Sequence, residues 1–589
     1  MTDYRRLRVA LLGAGAVGSQ VADLLLRHGD ELADRAGARL ELAGIAVRDV
    51  DAPRDVDLPR ELFTTDAESL ITGADIVIEL MGGIEPARSH ILLGLGSGAD
   101  VVTANKALLA THGPEVFEAA DRVGASVYYE AAAAGAIPII RPLRDSLAGD
   151  RVVRISGIVN GTTNYILDRM DSEGADFADV LADAQRLGYA EADPTADVEA
   201  YDAAQKAAIL ASLAFHTTVP LEAVHREGIT SITADMIEEA RSAGFVIKLL
   251  AVCERLQEST GESISVRVYP ALVPRSHPLA AVHGANNAVF VEAEAAGSLM
   301  FYGAGAGGVQ TASAVLGDVV SAARRHMAGG TGVGESTRAN LPIVSIGHVT
   351  TRYQITLEVA DQPGVLATIA GLFSEGGVSV ATLVQTAVAA SADQDADQVT
   401  ASDARGTARL IIGTHRAADS ALSAAVDRLT ASDVVENVVS VLRVEGNERG
   451  RHRRSGGHGA RRLGHPRRRR RPSYHHGHRA RHEREPRARI RHARACAEHL
   501  RHSHRIVVRR RPARDRGRRV GGGAHPHGCW KPRRPIDRPC LCRRRPSASR
   551  PADPRDQRRA AWTRARVIGG CGGGRHPDRQ GPAGRRRGA

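Results

Sequence analysis

Lysine is scarce before residue 447, where only Lys106, Lys206 and Lys248 stand beside 31 arginines. Where arginine is chosen that consistently, a retained lysine points to a need for a compact charge or an amine that can give up its proton. Lys106 lies in Thr103-Ala104-Asn105-Lys106, at the carboxyl end of the strand-like run ADVVTAN (99–105). Ligands of open α/β sheets bind at such ends. Lys206 closes the helical stretch AYDAAQK (200–206), so Asp202 and Lys206 share one helix face four residues apart. Spacing alone equally allows an ordinary surface ion pair there. Lys248, among Val246, Ile247 and Leu249, reads as a snorkelling or surface residue. Glu191, Asp193, Asp197, Glu199 and Asp202 crowd the segment around GYAEADP (188–194). They suit the ammonium of an amino-acid substrate, or simply make a helix N-terminus rich in acids.

A second group of residues is suited to phosphate. Gly13-Ala14-Gly15-Ala16-Val17-Gly18 follows the apolar run LRVALL (7–12) and opens a helical stretch. In that context Gly13 allows the tight turn, Gly15 admits a pyrophosphate and Gly18 lets helix and strand pack closely, while the free N–H groups attract phosphate. The next strand, LELAGIAV (40–47), runs into Arg48-Asp49. Arg48 suits the 2′-phosphate of NADP and Asp49 the ribose of NAD, so the reading leans to NADP with NAD also possible.

These residues need a scaffold of alternating strands and helices. LRVALL, LELAGIAV, ADIVIEL (74–80), ADVVTAN and ASVYYEA (125–131) are strands separated by helical stretches, which implies a parallel sheet with crossover helices over residues 1–135. Over 136–327 longer helices mix with strands such as RVVRISGIV (151–159) and SISVRVYPALV (263–273), ending in GAGAGG (303–308) and the helix TASAVLGDVVSAARRHM (311–327). AGGTGVGEST (328–337) is a linker by composition. Residues 352–445 read as β-α-β-β-α-β, the ferredoxin-like split motif. Within them AVAASADQDADQVTASDARG (387–406) reads as a mobile hairpin insert.

Charge divides the chain at Asn447. The stretch 447–589 holds 44 arginines, one lysine (Lys531) and nine acids, whereas residues 1–446 hold 34 basic and 58 acidic groups. The whole-chain excess of +12 therefore describes neither part. Five of the six cysteines (Cys496, Cys529, Cys540, Cys542, Cys571) fall in the basic stretch and only Cys253 in the acidic body, which excludes a disulfide within the body and fits a reducing, cytoplasmic setting. No apolar run is long enough for a membrane span. The basic stretch has no hydrophobic periodicity and is expected to be disordered. It suits a polyanion, or is the out-of-frame or read-through translation of GC-rich DNA, which yields Arg, Gly, Ala, Pro and His with hardly any Lys. The Cys540 and Cys542 pair lacks zinc-site spacing.

The strings GAGAVG, VRD, TANKALLA, YEAAAAGAIPIIRPL, GIVNGTTNYIL, LGYAEADPTADVEAYDAAQKAAILA and GAGAGGVQTASAV together, in order over 1–327, resemble homoserine dehydrogenase. Residues 352–445, with DQPGVL (361–366), resemble the ACT regulatory domain appended to many bacterial members. The resemblance implies a Rossmann-type nucleotide-binding domain, an α+β catalytic and dimerisation domain, and reversible NAD(P)H-dependent reduction of L-aspartate 4-semialdehyde to L-homoserine in threonine, methionine and isoleucine biosynthesis. Residue by residue, Lys206 matches the acid/base lysine and Lys106 a second active-site lysine. Glu191 and Asp202 match substrate-binding carboxylates. Gly13, Gly15, Ala16, Val17, Gly18, Arg48, Thr103, Lys106 and Gly307 match the cofactor site. Glu130, Ala133, Gly135 and Ile137 match a monovalent-cation site, expected to hold sodium through main-chain oxygens. Ala133 stands where relatives often have Val, and Gln310 where many have Pro. The expected partners are a small-molecule substrate, copies of the chain in a homodimer or homotetramer, and threonine as an effector at the ACT domain, with neither membrane nor nucleic acid. A reading of a different class is an amino-acid sensor, or a nucleic-acid-binding protein acting through the basic tail, without catalysis. Against it stand Lys106, Lys206, Glu191 and Asp202 in their full context.

Overall fold

The computed structural model describes residues 4–259, 261–330, 334–335, 337–387 and 407–446. The basic stretch 447–589 and the acidic insert beyond Ala387, both expected above to lack fixed structure, lie outside the described residues.

The first layer runs β1 (Arg6–Leu12), α1 (Ala16–Arg27), α2 (Gly29–Ala36), β2 (Arg39–Ala46), β3 (Phe63–Thr64), α3 (Ala67–Thr72), β4 (Ile76–Glu79), α4 (Ala87–Gly96), β5 (Asp100–Thr103), α5 (Lys106–Val123) and β6 (Val127–Tyr128). Its strands lie in the order β3-β2-β1-β4-β5-β6, each neighbouring pair parallel. Val9, Ala10, Leu11 and Leu12 of β1 and the whole of β4 and β5 are buried, as parallel strands covered on both faces require. The order reverses between β1 and β4, so the carboxyl ends of those strands open a crevice for a ligand.

The central part consists of α6 (Ala131–Ala134), β7 (Val152–Ile158), α7 (Gly161–Glu173), α8 (Phe177–Arg186), α9 (Thr195–Val198), α10 (Tyr201–Phe215), β8 (His225–Arg226), α11 (Ala234–Ser242), β9 (Phe245–Glu258), β10 (Gly261–Pro274), β11 (Asn286–Ala293), β12 (Gly297–Ala304) and α12 (Gly308–Ala328). The strands β12-β11-β7-β9-β10 form an antiparallel sheet. Helix α10 lies on it through Ala203, Ala207, Leu210 and Ala211, with the Cys253 thiol on the Ala207 carbonyl. Helix α12 behaves differently from its place in the sequence. Its Ala312, Val315, Val319 and Ala322 share a core with Val9, Leu11 and Val21, and Arg325 donates to both oxygens of buried Asp100 on β5 at 2.6 and 2.8 Å. The last helix of the central segment thus completes the first layer.

The third part contains β13 (Thr350–Thr351), β14 (Tyr353–Ala360), α13 (Val365–Glu375), β15 (Val380–Ala387), β16 (Thr407–Thr414), β17 (Ala417–Ala418), α14 (Asp419–Thr430) and β18 (Val435–Val444). Its strand order β18-β14-β16-β15 is that of the ferredoxin-like motif. Tyr353, Ile355, Leu357 and Val359 alternate into a core with Ile369, Phe373 and Leu422. Instead of standing apart, this part extends the central sheet: β10 pairs in parallel with β18 at Ala271–Arg443 and Leu272–Val444. On the other face of β14, Thr356 donates to Glu239 of α11 at 2.8 Å.

Candidate active site

The glycine turn after β1 is built as the sequence requires. Gly13 has φ +97°, and a Cβ on it would lie 2.7 Å from the Leu80 carbonyl; a Cβ on Gly18 would collide with the Gly13 carbonyl. Around Gly15 nothing lies within 4 Å of the Cβ position, so the backbone is open to an incoming group just where α1 begins with Ala16 and Val17. An anion fits this cradle of free N–H groups. Arg48, past the end of β2, is exposed, and among the described residues it makes no side-chain hydrogen bond or ion pair.

Across the crevice a buried carboxylate that the sequence reading missed organises two loops. Glu79, the last residue of β4, has no accessible surface. Its Oε2 accepts from the Thr103 hydroxyl at 2.7 Å and its Oε1 from the Met81 and Gly82 N–H groups. Thr103 in turn accepts from Asn105 N–H, and Asn105 caps α5 through Leu108 N–H. Lys106 is thereby fixed as the first residue of α5, with its side chain half-exposed over the crevice. An acid closing a buried strand is the signal that would have found Glu79.

Lys106 reaches across to α10. Its Nζ lies 3.1 Å from Asp202 Oδ1, while Lys206 Nζ lies 2.7 Å from Asp202 Oδ2 and 2.7 Å from the Val159 carbonyl. Asn160 Nδ2 donates to Asp202 Oδ2 at 2.9 Å and to Asp197 Oδ1 at 2.7 Å, and its Oδ1 caps α7. Asp202 and Lys206 are both about nine-tenths buried, so they are not the surface pair that spacing alone allows. Burial pushes the Asp202 carboxyl up. Lys206, Lys106 and the Asn160 amide outweigh it and hold the group well below the usual carboxylate range. Glu191 stands outside this cluster: it is exposed, its carbonyl accepts from Gln185, and its carboxylate has no partner among the described residues. Lys248 departs from the expectation of a surface residue. It is buried, donates to Asn164 Oδ1 at 2.9 Å and the Val282 carbonyl at 2.8 Å, and burial lowers its pKa. Lys248 lies in strand β9, so Ile247 and Leu249 face the opposite side, and it is buried beside Asn164, Val282 and Asp168 instead.

The residues expected to hold a cation lie beneath the same crevice. Glu130 is buried, and four N–H donors use up its carboxylate: the backbone of Ile139, Ile140 and Arg141, and Arg141 Nε. Its own N–H donates to Asp318, whose carboxyl burial pushes up to about 7. Ala133 and Ile137 are buried, and Gly135 has φ +60° with its Cα against the Gly305 carbonyl. With that carboxylate engaged, main-chain carbonyl oxygen is what these four residues have left to offer a hard cation. Among the described residues no cluster of His, Cys, Asp and Glu forms a side-chain metal site. Gly307 caps α12 with φ +129°, and Gly308 packs on the Ala16 carbonyl, which brings this turn to the glycine motif. No described helix is long and apolar enough to cross a membrane.

Residues 13–130 match the family model for the NAD-binding domain of homoserine dehydrogenase, and residues 138–320 match that for homoserine dehydrogenase itself. The chain is 55% identical over 440 residues to the homoserine dehydrogenase of Corynebacterium glutamicum, covering 74% of this chain and 95% of that one. With the Bacillus subtilis homoserine dehydrogenase it shares 39% identity over 448 residues, covering 75% and 99%. The solved homoserine dehydrogenase of Thiobacillus denitrificans superposes with a TM-score of 0.67 at 37% identity, over 75% of this chain and 98% of that one. With both family models matched and relatives covered over nearly their full length, the chain belongs to the homoserine dehydrogenase family.

Proposed function

We propose that the crevice between β1, α5 and α10 carries out the reversible reduction of L-aspartate 4-semialdehyde to L-homoserine, and that the shared grip of Asp202 on both lysines is what makes it work. When bound there, a dihydronicotinamide would supply the hydride for the aldehyde carbon. Lys206, as an ammonium, gives its proton to the aldehyde oxygen as the C–O double bond becomes a single bond, and takes one back in the reverse direction. Val159 and Asp202 aim that ammonium at 2.7 Å each. Lys106 places a second positive charge beside substrate and cofactor. Asp202 orients both lysines, which leaves the unpartnered carboxylate of Glu191 to take the substrate ammonium.

Gly13, Gly15, Ala16, Val17 and Gly18 hold the pyrophosphate, Thr103 lines the nicotinamide side and Gly307 backs the ring. Uncommitted Arg48 takes the 2′-phosphate, which favours NADP over NAD. The carbonyls of Glu130, Ala133, Gly135 and Ile137 hold sodium as a structural ion. In this reading residues 1–135 bind the nucleotide with α12 packed onto them, the rest of 136–327 is catalytic, and 352–445 is an ACT domain that takes threonine, in a cytoplasmic homodimer or homotetramer. Residues 447–589 are a frameshift or read-through product with no part in the reaction. The test is homoserine-dependent reduction of NADP and of NAD by the purified full chain, with and without threonine. Turnover faster with NADP and slowed by threonine is expected; no turnover from a chain that binds the cofactor overturns the substrate assignment.

A further inference from the structure

One side chain beside this site is buried with its polar atoms unused. Asn287, on β11, has no accessible surface, and among the described residues neither its Oδ1 nor its Nδ2 has a hydrogen-bond partner. Such a group bears its full desolvation penalty, and buried polar groups are nearly always satisfied. Its surroundings supply a reason for the exception. A Cβ on Gly305 would collide with Cγ, Nδ2 and Oδ1 of Asn287 almost equally. The carboxamide therefore lies face-on against that glycine, with its Oδ1 on the side of Gly161.

That turn joins three parts of the site. The Gly305 carbonyl lies against Gly135, Gly308 lies against the Ala16 carbonyl of the glycine motif, and Asn287 Oδ1 lies beside Gly161, next to Asn160. With glycine at 303, 305, 307 and 308, the only side chains on the turn are the methyl groups of Ala304 and Ala306, and the glycine backbone is free to adopt more than one conformation.

We propose that Asn287 is a positioning residue, a latch whose carboxamide bonds to the backbone of the Gly305–Gly307 turn when the turn settles against the nicotinamide. The hydrogen bonds its carboxamide lacks in this structure are made to the settled turn, so the latch favours the cofactor-bound state. This rests on the placement of the nicotinamide against Gly307 given above. A side chain that merely packs would stabilise both states alike.

The two roles predict opposite results for Asn287→Leu, which keeps the volume and removes the polar groups. Melting temperature is measured on the full chain, free and with saturating NADPH, together with the NADPH dissociation constant and kcat/KM. The latch predicts a free chain as stable as wild type or more so, a smaller NADPH-induced rise, NADPH binding weakened about tenfold and a similar or larger loss in kcat/KM. A less stable free chain with the NADPH-induced rise and kcat/KM retained overturns it, and so does a variant indistinguishable from wild type. Should Asn287→Leu not fold, Asn287→Ala decides by the NADPH-induced rise alone: reduced supports the latch, unchanged overturns it. Lys206→Ala, expected to keep the rise while losing turnover, reports on the acid/base assignment separately. A wild-type chain with no NADPH-induced rise overturns both the nicotinamide placement and the latch.

Discussion

At the scale of single residues, Asp202 decides how the two lysines behave. One carboxylate faces two ammonium groups, so its own charge is strongly favoured and theirs are held within reach of one substrate. Replacing Lys206 with Ala removes the proton donor while leaving the glycine turn untouched. Turnover should fall by about 10²–10⁴-fold with nucleotide affinity retained, as steady-state rates and a fluorescence titration of NADPH would register. Asp202 also carries a pH signature. Its folded pKa lies below the ordinary carboxylate value, so its contribution to stability is fully present above about pH 4 and disappears as pH falls through the depressed folded value. The difference in melting temperature between wild type and Asp202→Asn should stay level from pH 8 to 5 and shrink only below about 4; a difference that grows on acidification would contradict the depressed pKa. Arg48 supplies the third test. Losing a charge-assisted contact costs roughly 1.5–3 kcal/mol, so Arg48→Ala should raise the KM for NADPH tenfold or more and barely change that for NADH. Equal effects on both cofactors would remove the 2′-phosphate reading.

Elements show what spacing can and cannot convey. The glycine turn was legible because each glycine answers a separate steric demand. Gly15 has open space and an ordinary φ of −76°, whereas Gly18 is pressed on the Gly13 carbonyl. Gly15→Ala should therefore leave the melting temperature of the free chain within a degree or two while weakening nucleotide binding at least tenfold. Gly18→Ala should lower both, and calorimetry beside a binding titration separates them. The strands of the first layer and of 353–444 were equally readable, since Val9–Leu12 forms a buried run and Tyr353, Ile355, Leu357 and Val359 alternate. β9 was not. FVIKLLAVC is apolar apart from Lys248, and a run covered on both faces carries no period to distinguish strand from helix. The same coverage buried Lys248, whose neighbours suggested a surface. Helix α12 was found but could not be placed, because its small-residue face fits α1 only through packing that no local pattern encodes. Glu79 and Asn160 were missed for a related reason: each works by bonding loops distant in sequence.

Across the whole molecule, the junction between the central sheet and the ferredoxin-like part is electrostatic as much as it is a strand pairing. The two strands share only two residue pairs, yet Glu445 immediately beyond them is buried in a box of charges. It meets Arg154 of β7, lies 3.5 Å from Arg267 of β10 and accepts from the Tyr269 hydroxyl at 2.5 Å, while Glu254 of β9 balances both arginines at 3.1 and 2.7 Å. Two positive and two negative groups balance in charge there, and burial alone would drive the Glu445 carboxyl up were Arg154 and Arg267 not holding it down. Removing one member of such a box leaves an excess buried charge, at a cost of roughly 3–5 kcal/mol, more than a hydrophobic truncation of similar size at the rim would cost. β7 carries that disturbance toward the chemistry, because five residues after Arg154 its continuation presents the Val159 carbonyl to Lys206. Glu445→Ala should thus lower the urea midpoint and also reduce kcat severalfold, although residue 445 touches no part of the crevice. Glu445→Gln, which keeps the hydrogen-bond acceptor but not the charge, should fall between the two. If the junction were a passive seam, Glu445→Ala would detach the ferredoxin-like part as an early separate transition and leave kcat at its wild-type value in the folded fraction.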